Sequence, residues 1–274
     1  MENSKAILKV PGTMEIRPAE MPVLRDEDVL IKVEYVGICG SDVHGFESGP
    51  FIPPKDPNQE IGLGHECAGT VVGIGSKVKK FQIGDKVNIE PGVPCGKCRF
   101  CLEGKYNICP DVDFMATQPN YKGALTKYLS HPESFTYKLP DNMDTMEGAL
   151  VEPAAVGIHA ALLAGVTPGK KIVILGAGCI GLMTLQACKT MGAAEIVVVD
   201  VLKKRLEMAK KLGAMEVIDS SEADTVTECK RILGELGADI VIMLHPDYQY
   251  TPQLIHSIAY IIANDLYPRS EERR

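Results

Sequence analysis

The stretch Lys171-Ile-Val-Ile-Leu-Gly-Ala-Gly-Cys-Ile-Gly181 decides how the second half of this chain is built. Ile172 to Leu175 form a short apolar run of the kind that makes a buried strand. The run passes straight into Gly176-x-Gly178-x-x-Gly181, and an apolar helix is expected over 180–191. A lone Gly-x-Gly-x-x-Gly is weak. Here it follows a strand, opens a helix and precedes a second strand, 195–199, that ends at Asp200, which makes it a dinucleotide-binding fingerprint. Gly176 permits the tight turn, Gly178 lets a pyrophosphate approach the backbone, and Gly181 lets helix and strand pack closely. The phosphates then sit at the helix N-terminus, where free N–H groups point at them. Cys179 and Ile180 stand in the same loop and are grouped with the cofactor contacts, although Cys179, like Cys188, also suits helix packing. Asp200 is placed for the ribose hydroxyls, and its charge repels a 2′-phosphate, so NAD is favoured over NADP. The following Lys203-Lys-Arg205 tempers that charge. The run opens a solvent-facing helix, and Arg205 is counted beside the cofactor.

Outward from that loop, strands and helices alternate. A helix is expected over 146–166, stopped at Pro168-Gly169, then helices over 203–212 and 222–236 and strands over 216–218 and 239–243. Such alternation means a parallel sheet with helical crossovers, a Rossmann-type doubly wound sheet. The first half differs. Short β-type runs at 29–36, 68–74 and 86–90 are broken by Gly and Pro, so a mostly-β, barrel-like domain is expected over residues 1–150 and the nucleotide-binding domain over 151–274.

Composition narrows the functional class. The net charge of −7 argues against a nucleic-acid binder. No apolar run reaches the ~18 residues of a membrane span, and the N-terminus lacks the shape of a signal peptide, so a cytoplasmic protein without membrane partners is expected. In that compartment the nine cysteines are reduced, and clusters of them read as metal ligands.

Cys95, Cys98, Cys101 and Cys109 form such a cluster: two Cys-x-x-Cys steps with a fourth thiol eight positions on. Four thiolates suit a closed, structural zinc, with an unmetallated loop or a redox pair as alternatives. A second set is scattered: Gly37-Ile-Cys-Gly-Ser-Asp-Val-His44, Gly64-His-Glu66 and Val151-Glu-Pro153. Cys39, His65 and Glu66 supply the three ligands of a catalytic zinc with one open position, and Glu152 a nearby or exchanging carboxylate. Taken singly, each also fits a packing, loop or helix-dipole role, and the set gains weight only beside the dinucleotide loop.

With these motifs in this order, the chain resembles the zinc-containing medium-chain alcohol dehydrogenases, and most closely their polyol branch of sorbitol (L-iditol) and xylitol dehydrogenases. Pro91 to Pro110, Phe114-Met-Ala-Thr117, Tyr137 to Asn142 and Gly157-Ile-His159 complete the likeness. The resemblance implies a GroES-like catalytic domain joined to a Rossmann domain, two zinc ions (one catalytic, one structural) and NAD. It implies Ser41 as proton relay, His44 as its extension, and Phe114 and Thr117 beside the substrate. The implied reaction takes a polyol to a ketose, its hydride passing to the nicotinamide, in a homo-oligomer, dimer or tetramer. A zinc reductase of aldehydes or quinones is a weaker fit beside Glu66 and Glu152.

The likeness ends near Ile242, where the resemblance implies further strands that carry the dimer contact. A shortened or altered end is therefore expected, and with it a second reading, an inactive zinc- and nucleotide-binding fragment. A helix over 257–266 and a frayed charged end over 269–274 are the expectations for the tail.

Overall fold

A computed structural model describes residues 2–244. The chain divides into two compact units between Glu152 and Pro153. The helix expected over 257–266 and the frayed end over 269–274 lie outside the described residues.

The first unit is mostly β. Its strands are β1 (Asn3–Val10), β2 (Thr13–Ala19), β3 (Asp28–Gly37), β4 (Ile61–Gly62), β5 (Glu66–Ile74), β6 (Lys86–Ile89), β7 (Gly92–Val93), β8 (Asp113–Phe114), β9 (Tyr128–Pro132) and β10 (Thr136–Lys138). Helix α1 spans Gly40–Ser48, α2 Arg99–Leu102 and α3 Thr145–Ala149. An antiparallel sheet of order β10-β6-β5-β3-β9 carries the core. Period-two alternation along its strands sends Val29, Ile31, Val71, Val87 and Ile89 inward, each at most 2% exposed. Full burial of an aliphatic side chain contributes about 1.5–3 kcal/mol, so this alternation holds the register. The same register sets Gly37 opposite Glu66. A second sheet runs β2-β1-β4, and β7 pairs β8.

The second unit holds a parallel sheet of order β13-β12-β11-β14, from β11 (Lys171–Leu175), β12 (Glu195–Asp200), β13 (Glu216–Asp219) and β14 (Ile240–Met243). This is the 3-2-1-4 order that opens a Rossmann sheet. Its helices are α4 (Val151–Leu163), which begins just before the division, α5 (Cys179–Thr190), α6 (Lys203–Lys211) and α7 (Thr225–Leu233). Both sheet faces are buried, which is why the strands read as unbroken apolar runs rather than alternating ones. Ile172, Ile174, Ile196 and Val198 pack with Leu185 and Cys188 of α5 and Ala209 of α6. On the other face Val173, Leu175, Val197 and Val199 pack with Cys229 and Leu233 of α7.

Two of the expected helices need correction. The helix expected over 146–166 is two helices, α3 and α4, interrupted at Leu150. Pro153 has no N–H for the Ala149 carbonyl, and its ring would strike that carbonyl, so one continuous helix cannot pass this point. At the far end α4 stops at Leu163 because Gly165 adopts φ +70, and Val166 N–H closes back on the Ala161 carbonyl at 3.1 Å. The helix expected over 222–236 is shorter, α7, capped by the Asp224 side chain on Thr227 N–H and ended by Gly234 at φ +92. No helix among the described residues is long and apolar enough to cross a membrane.

Candidate active site

The structure gathers Cys39, His65 and Glu66 so that one donor atom from each lies within 4.8 Å of the other two. Cys39 is the residue before α1, while His65 and Glu66 stand where the chain enters β5. The strand pairing of β3 with β5 brings these segments together. Glu66 fits because its partner is glycine: a Cβ on Gly37 would lie 2.1 Å from the Glu66 carboxylate.

One carboxylate, which the sequence motifs do not single out, ties the two segments together. Asp42, 4% exposed, accepts from Gly64 N–H at 2.7 Å and from Cys39 N–H at 3.0 Å. Its second oxygen also stands 3.9 Å from His65 Nδ1. The signal available in sequence is its place three residues after Cys39, where a carboxylate reaches back to the N-terminus of the helix.

The cluster is electrostatically coupled. The His65 hydrogen bond holds the Cys39 thiol below its usual pKa against the opposing effect of burial, and Ser41 lowers it further. Burial works against a charged His65, but the Cys39 hydrogen bond and the charges of Asp42, Cys39 and Glu152 outweigh it and hold the ring up at about 9. Burial raises Glu66 and Glu152, with His65 pulling both the other way. Glu152, in the first turn of α4, thus feels His65, Glu66 and Asp42 but stands outside the compact set of three. Without a cation, a buried and a half-buried carboxylate, a thiol and an imidazole lie close together at a cost in desolvation that a divalent ion would relieve. Donor atoms about 2.0–2.3 Å from a tetrahedral zinc stand about 3.3–3.8 Å apart. Small side-chain rotations reach this from 4.8 Å, so the donor set fits zinc. Cys67, next to Glu66 in β5, is a buried thiol pushed up to about 12 by burial and takes no part.

The second set is tighter. The four sulfurs of Cys95, Cys98, Cys101 and Cys109 all lie within 4.8 Å of one another, with Cys98 3.4 Å from Cys101 and 3.8 Å from Cys109. A tetrahedral zinc–thiolate site sets its sulfurs about 3.8 Å apart, which the second separation meets and the first undercuts slightly. Backbone N–H groups of Lys97 and Cys98 lower Cys95 to about 7, while burial and the neighbouring sulfurs push Cys101 up to about 12.

The glycine loop is built as its spacing requires. Gly176 has φ +105, and a Cβ on Gly181 would lie 1.9 Å from the Gly176 carbonyl. A Cβ on Gly178 would meet nothing within 4 Å, so the space in front of it is open to a ligand. Gly178 precedes α5, whose first turn has no side-chain cap. Cys179 is exposed at that turn, and Ile180 follows it. Asp200 Oδ2 accepts from Ala177 N–H at 2.7 Å, and Oδ1 from the N–H groups of Val201 and Leu202 at 2.8 and 2.9 Å. A carboxylate has about four lone-pair sites, so Oδ2 keeps one beyond the Ala177 N–H. Arg205 Nη1 stands 3.8 Å from the same oxygen.

Elsewhere in the first unit the ring of His44 stacks on Phe51, centroids 3.8 Å apart and planes 4° apart, and Phe114 lies 5.8 Å from the His65 ring. Ser41 sits in the first turn of α1 and hydrogen bonds to Cys39.

The chain is similar to known proteins along most of its length. Residues 25–141 match the alcohol dehydrogenase GroES-like domain, and residues 179–259 match the zinc-binding dehydrogenases, a match that runs past Ile242. The zinc-type alcohol dehydrogenase-like protein YdjJ of Escherichia coli is 78% identical over 241 residues, covering 88% of this chain and 70% of that protein. The chain belongs to the zinc-containing medium-chain alcohol dehydrogenases. Within that family the sorbitol dehydrogenase of Bacillus subtilis is 43% identical, over 87% of this chain and 67% of that protein. The D-xylulose reductase A of Aspergillus oryzae is 41% identical, over 88% of this chain and 68% of that protein. Among solved structures, an Escherichia coli oxidoreductase/dehydrogenase of unknown specificity superposes with a TM-score of 0.87 at 77% identity, covering 89% of this chain and 70% of that one. A zinc-binding dehydrogenase of Sinorhizobium meliloti, solved bound to NADP, gives 0.80 at 30% identity over the same shares.

Proposed function

We propose that this dehydrogenase oxidises polyols or related secondary alcohols with NAD. The observation that carries the reading is the Cys39, His65 and Glu66 cluster with Glu152 close enough to couple to it. Two carboxylates beside one thiol and one imidazole form the donor set of the polyol branch, and the relatives named for sorbitol and D-xylulose support the substrate class.

Cys39, His65 and Glu66 would hold the catalytic zinc, which supplies Lewis-acid polarisation of the substrate hydroxyl. Cys95, Cys98, Cys101 and Cys109 would hold a second zinc that ties the lobe together. NAD supplies the hydride acceptor. Ser41 Oγ would relay the proton of the substrate hydroxyl, accepting it as its own hydroxyl proton passes on, and the Glu152 carboxylate, whose pKa burial raises, would be a base able to receive a proton at this site. Asp42 fixes the backbones that carry Cys39 and His65. The α5 N-terminus receives the pyrophosphate, and Asp200 a ribose hydroxyl. The Asp200 charge opposes a 2′-phosphate, which supports NAD over NADP here, whatever the Sinorhizobium protein binds.

The test is zinc per chain by elemental analysis, with NADH formation from sorbitol and xylitol followed in the same preparation. Two zinc ions per chain and NADH formed faster than NADPH uphold the proposal. Zinc at one per chain or below without NADH overturns it, and leaves a zinc- and nucleotide-binding chain that performs no turnover.

A further inference from the structure

We propose that Tyr121 is a positioning residue for the substrate: its hydroxyl latches the segment that carries Phe114 and Thr117 to the loop after α1, and so fixes one wall of the site. The inference rests on the polyol dehydrogenase reading.

Backbone bonds anchor the segment at both ends. At its start β8 pairs with β7, and Met115 N–H donates to the Pro91 carbonyl at 3.0 Å. There Phe114 lies 5.8 Å from the His65 ring. At its end the chain runs beside the residues that lead into His65. Gly62 N–H donates to the Tyr121 carbonyl at 2.8 Å, Ala124 N–H to the Gly64 carbonyl at 2.8 Å, and Leu125 N–H to the Leu63 carbonyl at 3.1 Å. Glycines allow this approach: a Cβ on Gly123 would lie 2.1 Å from the Leu63 carbonyl oxygen, and one on Gly62 2.5 Å from the Gly123 nitrogen. Between these anchors the turn at 116–118 is held less directly. Among the described residues its backbone bonds stay within the segment: Ala116 N–H donates to the Lys122 carbonyl at 2.7 Å, Thr117 N–H to the Phe114 carbonyl at 3.2 Å, and Tyr121 N–H to the Thr117 carbonyl at 2.7 Å. Thr117 thus takes its position from Tyr121.

Tyr121 stands where its backbone would not rest by itself. Its φ is +50, a region that a residue with a Cβ enters only when its surroundings demand it. The side chain supplies that demand. Tyr121 is 3% exposed, and its hydroxyl donates to the Ile52 carbonyl at 2.7 Å. A buried phenol with a fixed partner is a directional stop as well as an apolar filler. Further along the same loop, Gln59 Nε2 repeats the tie by donating to the Asn120 carbonyl at 3.2 Å. Loop and segment are thereby held as one wall. A polyol differs from a simple alcohol in the hydroxyls beyond its reacting carbon, and these need polar partners at a set distance from the metal. The Thr117 hydroxyl, placed through Tyr121, is one such partner.

The experiment compares the zinc-loaded wild type with Y121F, which keeps the buried ring and removes the latch, and with Q59A, which cuts the second tie and leaves Tyr121 in place. In Y121F the KM for sorbitol or xylitol is expected to rise about two- to tenfold, the range of one hydrogen bond, with kcat, zinc content and the KM for NAD unchanged. Q59A should change in the same direction and by less. An unchanged polyol KM in Y121F would overturn the proposal. So would a parallel rise in the KM for NAD or a loss of zinc, either of which means a general loosening rather than a displaced wall. A larger rise in Q59A than in Y121F would put the latch elsewhere and overturn it too. A second readout does not need turnover: amide hydrogen exchange of the peptides that cover 52–59 and 114–122. Both are expected to exchange about two- to tenfold faster in Y121F, with β5 unaltered. Equal exchange in wild type and Y121F means that the hydroxyl holds nothing, and sinks the idea. A wild-type chain that oxidises no polyol would defeat the polyol dehydrogenase reading, while the exchange rates still decide whether the latch exists.

Discussion

Replacing Asp42 by alanine removes a carboxylate that no zinc ligand can substitute for. Of the two N–H groups it satisfies, that of Gly64 is left buried and that of Cys39 part-buried, around a side chain that is itself 4% exposed. Each buried donor left without a partner costs about 1–3 kcal/mol. The Gly64 donor alone predicts a loss of about 1–3 kcal/mol in unfolding free energy for the first unit, to which the part-buried Cys39 donor adds less. A second effect is separable from the first. Cys39 and His65 lose the shared anchor that sets their spacing, and removal of a group that orients metal ligands weakens metal affinity about 10- to 100-fold. Urea denaturation in the presence of chelator reads the stability change alone. Competition for zinc against a chromophoric chelator reads the affinity, and the cysteine lobe of the same molecule serves as the internal reference. The weaker of the two sites should shift in D42A and the lobe should not. If D42A loses less than about 1 kcal/mol, the lower end for one orphaned donor, and binds both ions as the wild type does, the account of Asp42 as the tie between the two segments is wrong.

Two further outcomes are expected. In G37A the added methyl would stand 2.1 Å from the Glu66 carboxylate, so Glu66 must leave the cluster; zinc per chain is expected to fall by one with the cysteine lobe still loaded, and full occupancy of both sites would refute the steric argument. His131 is 4% exposed, donates through Nε2 to the Glu90 carbonyl at 2.9 Å, and is depressed by burial to about 4. Its folded pKa lies below the unfolded value of about 6.5. Unfolding therefore takes up a proton between those values, and the stability His131 confers, whole above about pH 6.5, is lost as pH falls to about 4. The gap between the two values corresponds to about 3 kcal/mol. Chemical denaturation of metal-free protein at about pH 7 and about pH 4.5 should show the wild type losing about 2–3 kcal/mol more than H131Q, and equal losses would show that His131 carries no such linkage.

The parts of this molecule legible in its sequence are those whose cause is local. The turn from β11 into α5 needs three glycines at fixed offsets, and the structure shows why at Gly176 and Gly181. The cysteine lobe is equally local, since all four thiols fall within one short loop. The Cys39, His65 and Glu66 cluster is less so: those residues meet only because β3 and β5 pair in one register, and the likeness to a family, rather than their spacing, is what joins them in sequence. What the sequence hides is the matching partner. Nothing near Asp42 announces that its acceptor duties lie with Gly64, twenty-two residues on. Nor does His44 announce Phe51, in a loop with no periodic pattern. The single helix expected over 146–166 fails for a different reason. Apolar periodicity runs through Leu150 undisturbed, and the obstacle is one missing N–H at Pro153, which a count of apolar positions does not register.

The anchoring of both cluster segments by Asp42 would also separate the histories of the two zinc ions proposed here. Around Cys39 and His65 the protein frame is already closed by hydrogen bonds of its own, so an ion can leave and another take its place without the frame opening. The cysteine lobe is held more locally: its helices, α2 and a 3-10 turn at Tyr106–Ile108, are four and three residues long, its backbone hydrogen bonds join near neighbours, and its sulfurs crowd one another. There a bound ion would serve as a further cross-link, and its departure would loosen the lobe. The chain would therefore trade its catalytic ion readily with the surrounding pool and keep the other for the life of the fold, so that scarcity of metal would silence a molecule before it dismantled it.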